Sequence, residues 1–153
     1  FTTTVGTERG TKVIVADVEQ SEHGKIIGGG GRNVDALRLI VALAGRKTGH
    51  PHGLRIVEKE RVHTEPMPFI PNLDWQPHWL VTLAQQTASA IFVQPAGAQV
   101  TDNEDGRTNL VFIIANNEPR PVPDASVETA LTSLFRAIGY ANGRKVNVSL
   151  RRA

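Results

Sequence analysis

The sequence predicts an α+β protein built from two similar units, and three observations support this prediction. Short β-branched runs typical of strands alternate with longer segments that carry an apolar residue at every helical turn. Four prolines fall within residues 65–77, a density that neither a helix nor a central strand tolerates. The order of strand, glycine or proline segment, helix, turn and strand is the same on both sides of these prolines. We therefore predict a first unit at residues 1–62, a proline-rich linker at 63–78 and a second unit at 79–153.

The first unit contains two β-branched runs and one long amphipathic segment. Its predicted elements are a strand at 12–18, a short helical turn at 24–27, a helix at 33–44 and a strand at 54–57. Asn33 is a candidate N-cap of the long helix, because its side chain can accept from the first free backbone N–H groups. Gly45 and Gly49 are candidate stop signals for the same helix.

The second unit repeats this pattern with an additional helix in front. Its predicted elements are a helix at 79–92, strands at 98–101 and 110–115 around a polar turn, a helix at 127–140 and a strand at 145–150. The long helices of the two units align at a constant offset of 94 positions, which pairs Gly45 with Gly139. The strands before them align at an offset of 97, which pairs Val18 with Ala115.

Composition excludes several classes of function. The chain has no cysteine, which rules out disulfides, thiolate zinc sites and cysteine nucleophiles and suits a reducing compartment. We find no apolar run long enough to cross a membrane and no export leader, so we expect a cytoplasmic protein without a membrane partner. No nucleophile, base and orienting residue form a recognisable set, so we expect no enzyme and no cofactor. His50 and His52 lack further ligands at metal-binding spacing, and we expect no metal site.

Positive charge is concentrated in one part of the sequence. The formal net charge is only +2, too little to indicate a nucleic-acid partner by itself. Residues 24–57, however, contain six lysines and arginines and a single acid, Asp35. A localised basic segment predicts a localised partner.

Four consecutive glycines, at positions 28–31, lie at the centre of this basic segment. They remove every side chain from the turn, so another molecule can approach the backbone closely. The helix predicted to follow leaves N–H groups unpaired and carries the positive end of its dipole, and both features attract phosphate. Lys25, Arg32 and Arg38 add formal charge within reach of a phosphate.

Two common phosphate-binding motifs do not fit these glycines. A Walker A loop requires Gly-Lys followed by serine or threonine, but Gly24 and Lys25 are followed by Ile26. A dinucleotide-binding fingerprint that starts at Gly28 requires glycine or alanine at position 33, where the chain has Asn33. An I-G-x-x-G loop, which begins here at Ile27, is the remaining option.

The run GKIIGGGGRNVDALR, which begins at Gly24, joins a short helix, an I-G-x-x-G loop and a second helix. In these residue types and in this order it resembles the K-homology (KH) domain in its type II, or prokaryotic, arrangement, over about residues 12–58. The resemblance implies tandem type II KH-like modules, each a three-stranded sheet with helices packed on one face. It also implies that the loop grips the backbone of about four single-stranded nucleotides.

The resemblance also implies which residues bind nucleic acid. Lys25 and Arg32 would neutralise phosphates, while Ile26, Ile27 and Val34 would form the wall of an apolar groove that receives bases. The full set of implied site residues is Lys25, Ile26, Ile27, Gly28, Gly29, Gly30, Gly31, Arg32, Asn33, Val34 and Arg38.

The sequence departs from the family pattern at several points. Position 29 often carries lysine in this family and is glycine here, and no helix can be read before Lys12. In the second unit, residues 118–124 (EPRPVPD) stand where the glycines would be. Prolines offer no amide hydrogen, so this segment cannot form the same phosphate cradle. We interpret the second unit as a degenerate KH-like module that supports the first or docks a partner.

These observations predict a non-enzymatic protein that binds single-stranded RNA, with RNA favoured over single-stranded DNA by the resemblance alone. The alternative is a structural or adaptor subunit of a ribonucleoprotein or viral assembly, in which the second module makes protein contacts. The adaptor hypothesis predicts weak RNA binding by the isolated chain and a stable protein partner.

Overall fold

The computed structural model of this chain describes residues 2–59, 77–94 and 96–153. The prediction of an α+β fold is confirmed: the described residues form two three-stranded sheets and four α-helices. The first unit consists of β1 (Thr2–Glu8), β2 (Thr11–Glu19), α1 (Gln20–Ile27), α2 (Arg32–Thr48) and β3 (His52–Lys59), with a 3₁₀ turn at Gly29–Gly31 between its helices. The second unit consists of α3 (Pro77–Ile91), β4 (Gly97–Asp102), β5 (Arg107–Ile114), α4 (Asp124–Ala141) and β6 (Lys145–Arg152).

Residues 63–76 of the linker predicted at 63–78 lie outside the described residues. Its last two residues, Pro77 and His78, form the start of α3. Proline is well tolerated there, because the first turn of a helix does not use its N–H groups in intrahelical bonds. Within the described ranges, no helix is both long and apolar enough to cross a membrane.

The two sheets have the same topology. In each, the first strand pairs antiparallel with the second, and the second pairs parallel with the third. A parallel pair requires a long crossover, which α1 and α2 provide in the first unit and α4 provides in the second. The shared strand order and directions agree with the internal repeat that the sequence predicts.

Strand β1 is absent from the sequence-based prediction. It joins β2 through a two-residue loop, Arg9–Gly10, in which both residues have a positive φ (49° and 80°). Such type I′ turns usually have asparagine, aspartate or glycine at the first position, so arginine conceals the hairpin. The strand also carries little apolar pattern, and its one large apolar residue, Val5, is 69% exposed.

The main hydrophobic core lies between the second sheet and the helices. Phe112 of β5 and Phe135 of α4 meet edge to face, with ring centroids 5.6 Å apart. Helix α2 of the first unit extends this core, since Leu43 is buried in it and Leu39 and Ile40 pack against it. Helix α2 therefore contacts its own strand β3 and also the helices α3 and α4 of the other unit.

Two equivalent glycines fix how each long helix meets the strand that follows it. A Cβ atom on Gly45 would lie 2.7 Å from the carbonyl oxygen of His50. A Cβ atom on Gly139 would lie 2.8 Å from the carbonyl oxygen of Arg144. The carbonyl oxygen of Gly45 also accepts a hydrogen bond from the N–H of His50, and that of Gly139 accepts one from the N–H of Arg144. The helix offset of 94 positions is therefore confirmed. Of the two candidate stop signals, Gly45 lies inside α2, and the helix ends at Gly49, which has a left-handed backbone conformation.

The predicted strand offset of 97 is wrong. Glu58 and Arg152, which differ by the helix offset of 94, pair with Val18 and Ile114. Val18 therefore corresponds to Ile114, an offset of 96, and both side chains are buried where Ala115 is only half-buried. Side chains alternate between the two faces of a strand. An alignment of Val18 with Ala115 would therefore place Ile114 on the solvent-facing side.

We predict that Gly45→Ala and Gly139→Ala each destabilise the fold by about 2 kcal/mol, because the added methyl group must displace backbone atoms. Urea denaturation measures the effect. Gly24→Ala is the matched control: Gly24 lies in α1 with no atom within 4 Å of an added Cβ, so this variant should gain up to about 1 kcal/mol. Equal stability of all three variants would contradict the close approach.

Candidate nucleic-acid interface

The glycine loop, defined here as residues 28–31, is an exposed bend between α1 and α2. Gly28, Gly30 and Gly31 have φ values of 72°, 65° and 79°, in the left-handed region that side chains disfavour. Gly29 is the one glycine of the loop outside this region. Gly29 and Gly30 are exposed, and Gly28 and Gly31 are half-buried. Gly29 and Gly30 are therefore accessible to another molecule, while Gly28 and Gly31 are partly covered by neighbouring side chains.

Helix α2 begins directly after the loop with no side-chain cap. Its N-cap residue is Gly31, whose own N–H donates to the carbonyl of Gly28 at 3.1 Å. The first N–H groups of an α-helix have no intrahelical acceptor, and they mark the positive end of the helix dipole. A glycine bend that leads into such a helix start suits an anion.

The prediction that Asn33 caps α2 is wrong, because its side chain points to another partner. Its Nδ2 donates to the carbonyl oxygen of Lys25 at 3.0 Å, which ties the end of α1 to the first turn of α2. A Cβ atom on Gly28 would lie 2.7 Å from Cγ of Asn33. Asn33 therefore sits against the loop and holds its two ends together.

Two of the three predicted cations have acidic neighbours. Lys25 Nζ is 2.9 Å from a carboxylate oxygen of Glu22, and Arg38 Nη1 is 3.5 Å from one of Asp35. The pairing of Lys25 was missed because the sequence predicts α1 only from residue 24, whereas the helix begins at Gln20. Had the sequence predicted a helix from residue 20, the spacing of three residues between Glu22 and Lys25 would have indicated this ion pair.

Arg32 contacts the loop itself. Its Nε donates to the carbonyl oxygen of Gly29 at 3.0 Å, so the guanidinium group lies next to the glycines. The paired side chains of Lys25, Glu22, Arg38 and Asp35 are 50–72% exposed, and such surface ion pairs are worth only about 0.2–1 kcal/mol. A charge-assisted hydrogen bond to phosphate is worth about 1.5–3 kcal/mol, so the cations can exchange partners.

The apolar residues of the predicted groove differ in their exposure. Ile26 and Ile27 at the end of α1 are half-buried, so part of each side chain reaches the surface. Val34 is buried at 7% exposure and lies under the loop, 3.9 Å from where a Cβ on Gly31 would be. The surface beside the loop is therefore provided by the two isoleucines, and Val34 supports the loop from below.

The second unit has a different arrangement before α4. The guanidinium group of Arg152 donates to both carboxylate oxygens of Asp124, at 2.6 and 2.8 Å. The same group donates to the carbonyl oxygens of Ala115, Asn116 and Glu118 at 3.1–3.2 Å. These bonds fix the segment between β5 and α4 against the last residues of β6.

Glu118 adds a second anchor to this segment. Its carboxylate is buried and accepts from the N–H groups of Val93 and Gln94 at 2.8 and 2.7 Å, just after α3 ends. The start of α4 follows Pro123, which has no N–H, and carries the Asp124 carboxylate. The hydrogen bonds from Arg152 hold the pKa of that carboxyl below its usual value. A negative charge of the protein itself thus occupies this helix start.

Two further findings bear on the chemistry of the site. Nδ1 of His52 lies 2.7 Å from the carbonyl oxygen of His50, and no group of three or more potential metal ligands occurs in the described part of the chain.

A scan against protein-family models and a search of the curated proteins found no match.

We predict that acid removes the contribution of the Asp124–Arg152 pair to stability. The unfolded chain binds a proton at Asp124 near the ordinary pKa of 3.8, but the folded chain does so only at lower pH. The stabilisation is therefore complete above that value and is lost as the pH falls through the folded pKa. Asp124→Asn should lower Tm by a few degrees at neutral pH.

The difference in Tm between wild type and Asp124→Asn should shrink as the pH falls below about 3.8, because the wild-type carboxyl then becomes neutral. Thermal denaturation followed by circular dichroism at several pH values tests this. Asp105→Asn, which removes the same charge from an exposed turn, is the control. A Tm difference that is independent of pH would contradict the proposed pairing.

We also predict that the loop tolerates a side chain at position 29 but not at position 28. Gly28→Ala should cost about 1–3 kcal/mol, because its left-handed φ and the adjacent Asn33 both oppose a Cβ. Gly29→Ala should be close to neutral, since its Cβ meets only the flexible end of Arg32 at 3.3 Å. Urea denaturation compares the two, and equal losses would refute this loop geometry.

Proposed function

We propose that this chain binds single-stranded RNA and holds the sugar–phosphate backbone in the glycine loop. In this proposal the chain consists of two type II KH-like modules, of which the second lacks the loop. The observation that carries the proposal is the exposed, left-handed glycine bend that opens onto the uncapped start of α2, with Arg32 against it.

The chemistry of the loop favours a phosphate backbone over a folded protein surface. Free N–H groups at a helix start and nearby guanidinium and ammonium groups contact phosphate oxygens without reading bases. With glycine at all four positions, a strand can lie directly on the backbone. Lys25, Arg32 and Arg38 supply the positive charge, which makes the binding dependent on salt concentration.

Single strands suit this site better than a duplex. Bases that are not stacked in a duplex can turn toward an apolar surface, and single-stranded loops and ends are the usual targets of sequence-specific RNA recognition. Ile26 and Ile27 provide such a surface next to the loop. RNA is preferred over single-stranded DNA by the resemblance to KH domains, and the cysteine-free sequence suits a cytoplasmic protein.

The second unit supports the first in this proposal. Its core receives Leu43 of α2, and Lys47 Nζ near the end of α2 donates to the carbonyl of Ser89 in the last turn of α3. A cation near a helix C-terminus is favourable, because the dipole is negative there. These contacts hold α2, and therefore the loop at its start, in a fixed position.

We predict that the charge at position 29 controls RNA affinity. Gly29→Lys should tighten binding of a fluorescein-labelled dodecanucleotide about threefold to tenfold, because lysine adds one phosphate contact. Gly29→Asp should weaken binding about tenfold through repulsion, and Gly29→Ala should stay within about twofold of wild type. Fluorescence anisotropy at about 50 and 200 mM salt measures these affinities. The lysine variant should also show the steepest salt dependence.

The control places the same charges far from the loop. Ser149 is exposed on β6, and Ser149→Lys and Ser149→Asp should change the affinity far less than the variants at position 29. If charge at position 29 has no larger effect than charge at position 149, the loop does not bind RNA. The adaptor hypothesis predicts that result together with a protein partner that co-purifies equally with all variants.

A further inference from the structure

A groove of about 400 Å³ lies where α2 and α4 meet. Each helix contributes residues from its first three turns, and four residues of each set are equivalent in the repeat. Ala36 corresponds to Ala130 at the offset of 94, and both are buried. Arg32 and Leu39 correspond to Ser126 and Ser133. The two units thus meet through the same helix face, and the groove runs along that contact.

The groove begins at the glycine loop. Arg32 lines it and also donates to Gly29, so one side chain belongs to both sites. A strand whose phosphates lie on the loop is therefore next to the groove, because Arg32 borders both. The volume falls within the range of about 300–1,000 Å³ that is usual for small-ligand sites.

The charges around the groove favour a neutral group inside it. Asp35 lines it, and the Asp35 carboxylate also lies 3.8 Å from where a Cβ on Gly31 would be, so it disfavours a phosphate in the groove and at the Gly31 end of the loop. Arg32, at the loop end, attracts one. A nucleotide whose phosphate contacts Arg32 and whose base and sugar lie further along the groove has its negative charge next to the arginine and its neutral groups next to Asp35.

The wall provided by α4 suits a base and a sugar. Ser126, Thr129 and Ser133 place three hydroxyl groups there, next to the apolar surface of Ala130 and Leu39. The Thr129 hydroxyl already donates to the carbonyl of Ala125 at 2.8 Å. Among the described residues, the hydroxyls of the two serines have no such partner, so they can bond a ligand.

We propose that this groove receives the nucleoside next to the phosphates held by the glycine loop, with Ser126 and Ser133 as hydrogen-bonding groups. This inference rests on the proposed function, and it extends the RNA path from the first unit onto the second. A tetranucleotide can occupy the loop alone, whereas a dodecanucleotide occupies both sites.

Filling the groove tests the inference. Ser126 is exposed, so Ser126→Trp can cover the groove without entering the core, and Ser149→Trp on β6 is the matched control. We expect Ser126→Trp to weaken dodecanucleotide binding about fivefold, the equivalent of one or two hydrogen bonds, and to leave tetranucleotide binding unchanged. Gly29→Asp should weaken binding of both. Equal Tm values for the two tryptophan variants show that the fold is intact.

A second measurement locates the RNA directly. Because the chain has no cysteine, Ser126→Cys and Ser149→Cys each introduce one thiol that can carry a photocrosslinker. We expect RNA to crosslink at position 126 and not at position 149. Crosslinking of position 126 in a cell extract to protein and not to RNA would make the groove a protein-docking surface and overturn the inference.

The two proposals can fail separately. If Gly29→Asp weakens binding while Ser126→Trp has no effect on the dodecanucleotide, the groove is not on the RNA path and the loop assignment stands. If neither variant weakens binding, the proposed function itself is wrong.

Discussion

The packing of α2 on both units is the constraint on which the rest of the structure depends. Leu43 is buried in the core that the second unit builds, while Gly45 of the same helix lies against the backbone that leads into β3. A helix held on two sides cannot change its direction without opening one of the contacts. The glycine loop precedes α2 immediately, so this packing fixes where the loop points and which part of the second unit lies beside it.

The loop itself needs little packing, because its shape follows from local geometry. Three of its glycines adopt a left-handed φ, and Asn33 fills the space under Gly28 while it bonds the carbonyl of Lys25. The bend is therefore held by its own residues and remains open to solvent. This division between a rigid helix and an exposed backbone is favourable for binding, since the N–H groups are oriented before a ligand arrives.

The sequence predicts most of the elements, because apolar periodicity and the glycine and proline positions are local signals. It does not predict β1, whose turn uses Arg9 where other residues are usual, or the register that pairs Val18 with Glu58. Contacts between distant residues leave no local pattern. The hydrogen bond of Asn33 and the hydroxyl-lined groove on α4 both depend on how helices meet, so the sequence alone predicts the glycine loop but not its surroundings.

The two units differ in what stands at the start of their long helices. At the repeat offset of 94, Gly30 of the loop corresponds to Asp124, whose carboxylate lies at the start of α4 and binds Arg152. A helix start can be neutralised by an anion of its own chain or by one from outside, but both cannot occupy the same position. The second unit places the Asp124 carboxylate at the start of α4 and pairs it with Arg152, while the first has glycines at the equivalent positions and carries its first-turn acid, Asp35, beside Arg38. In the proposed function, the phosphate contacts therefore belong to the first unit, and the second contributes neutral contacts along α4.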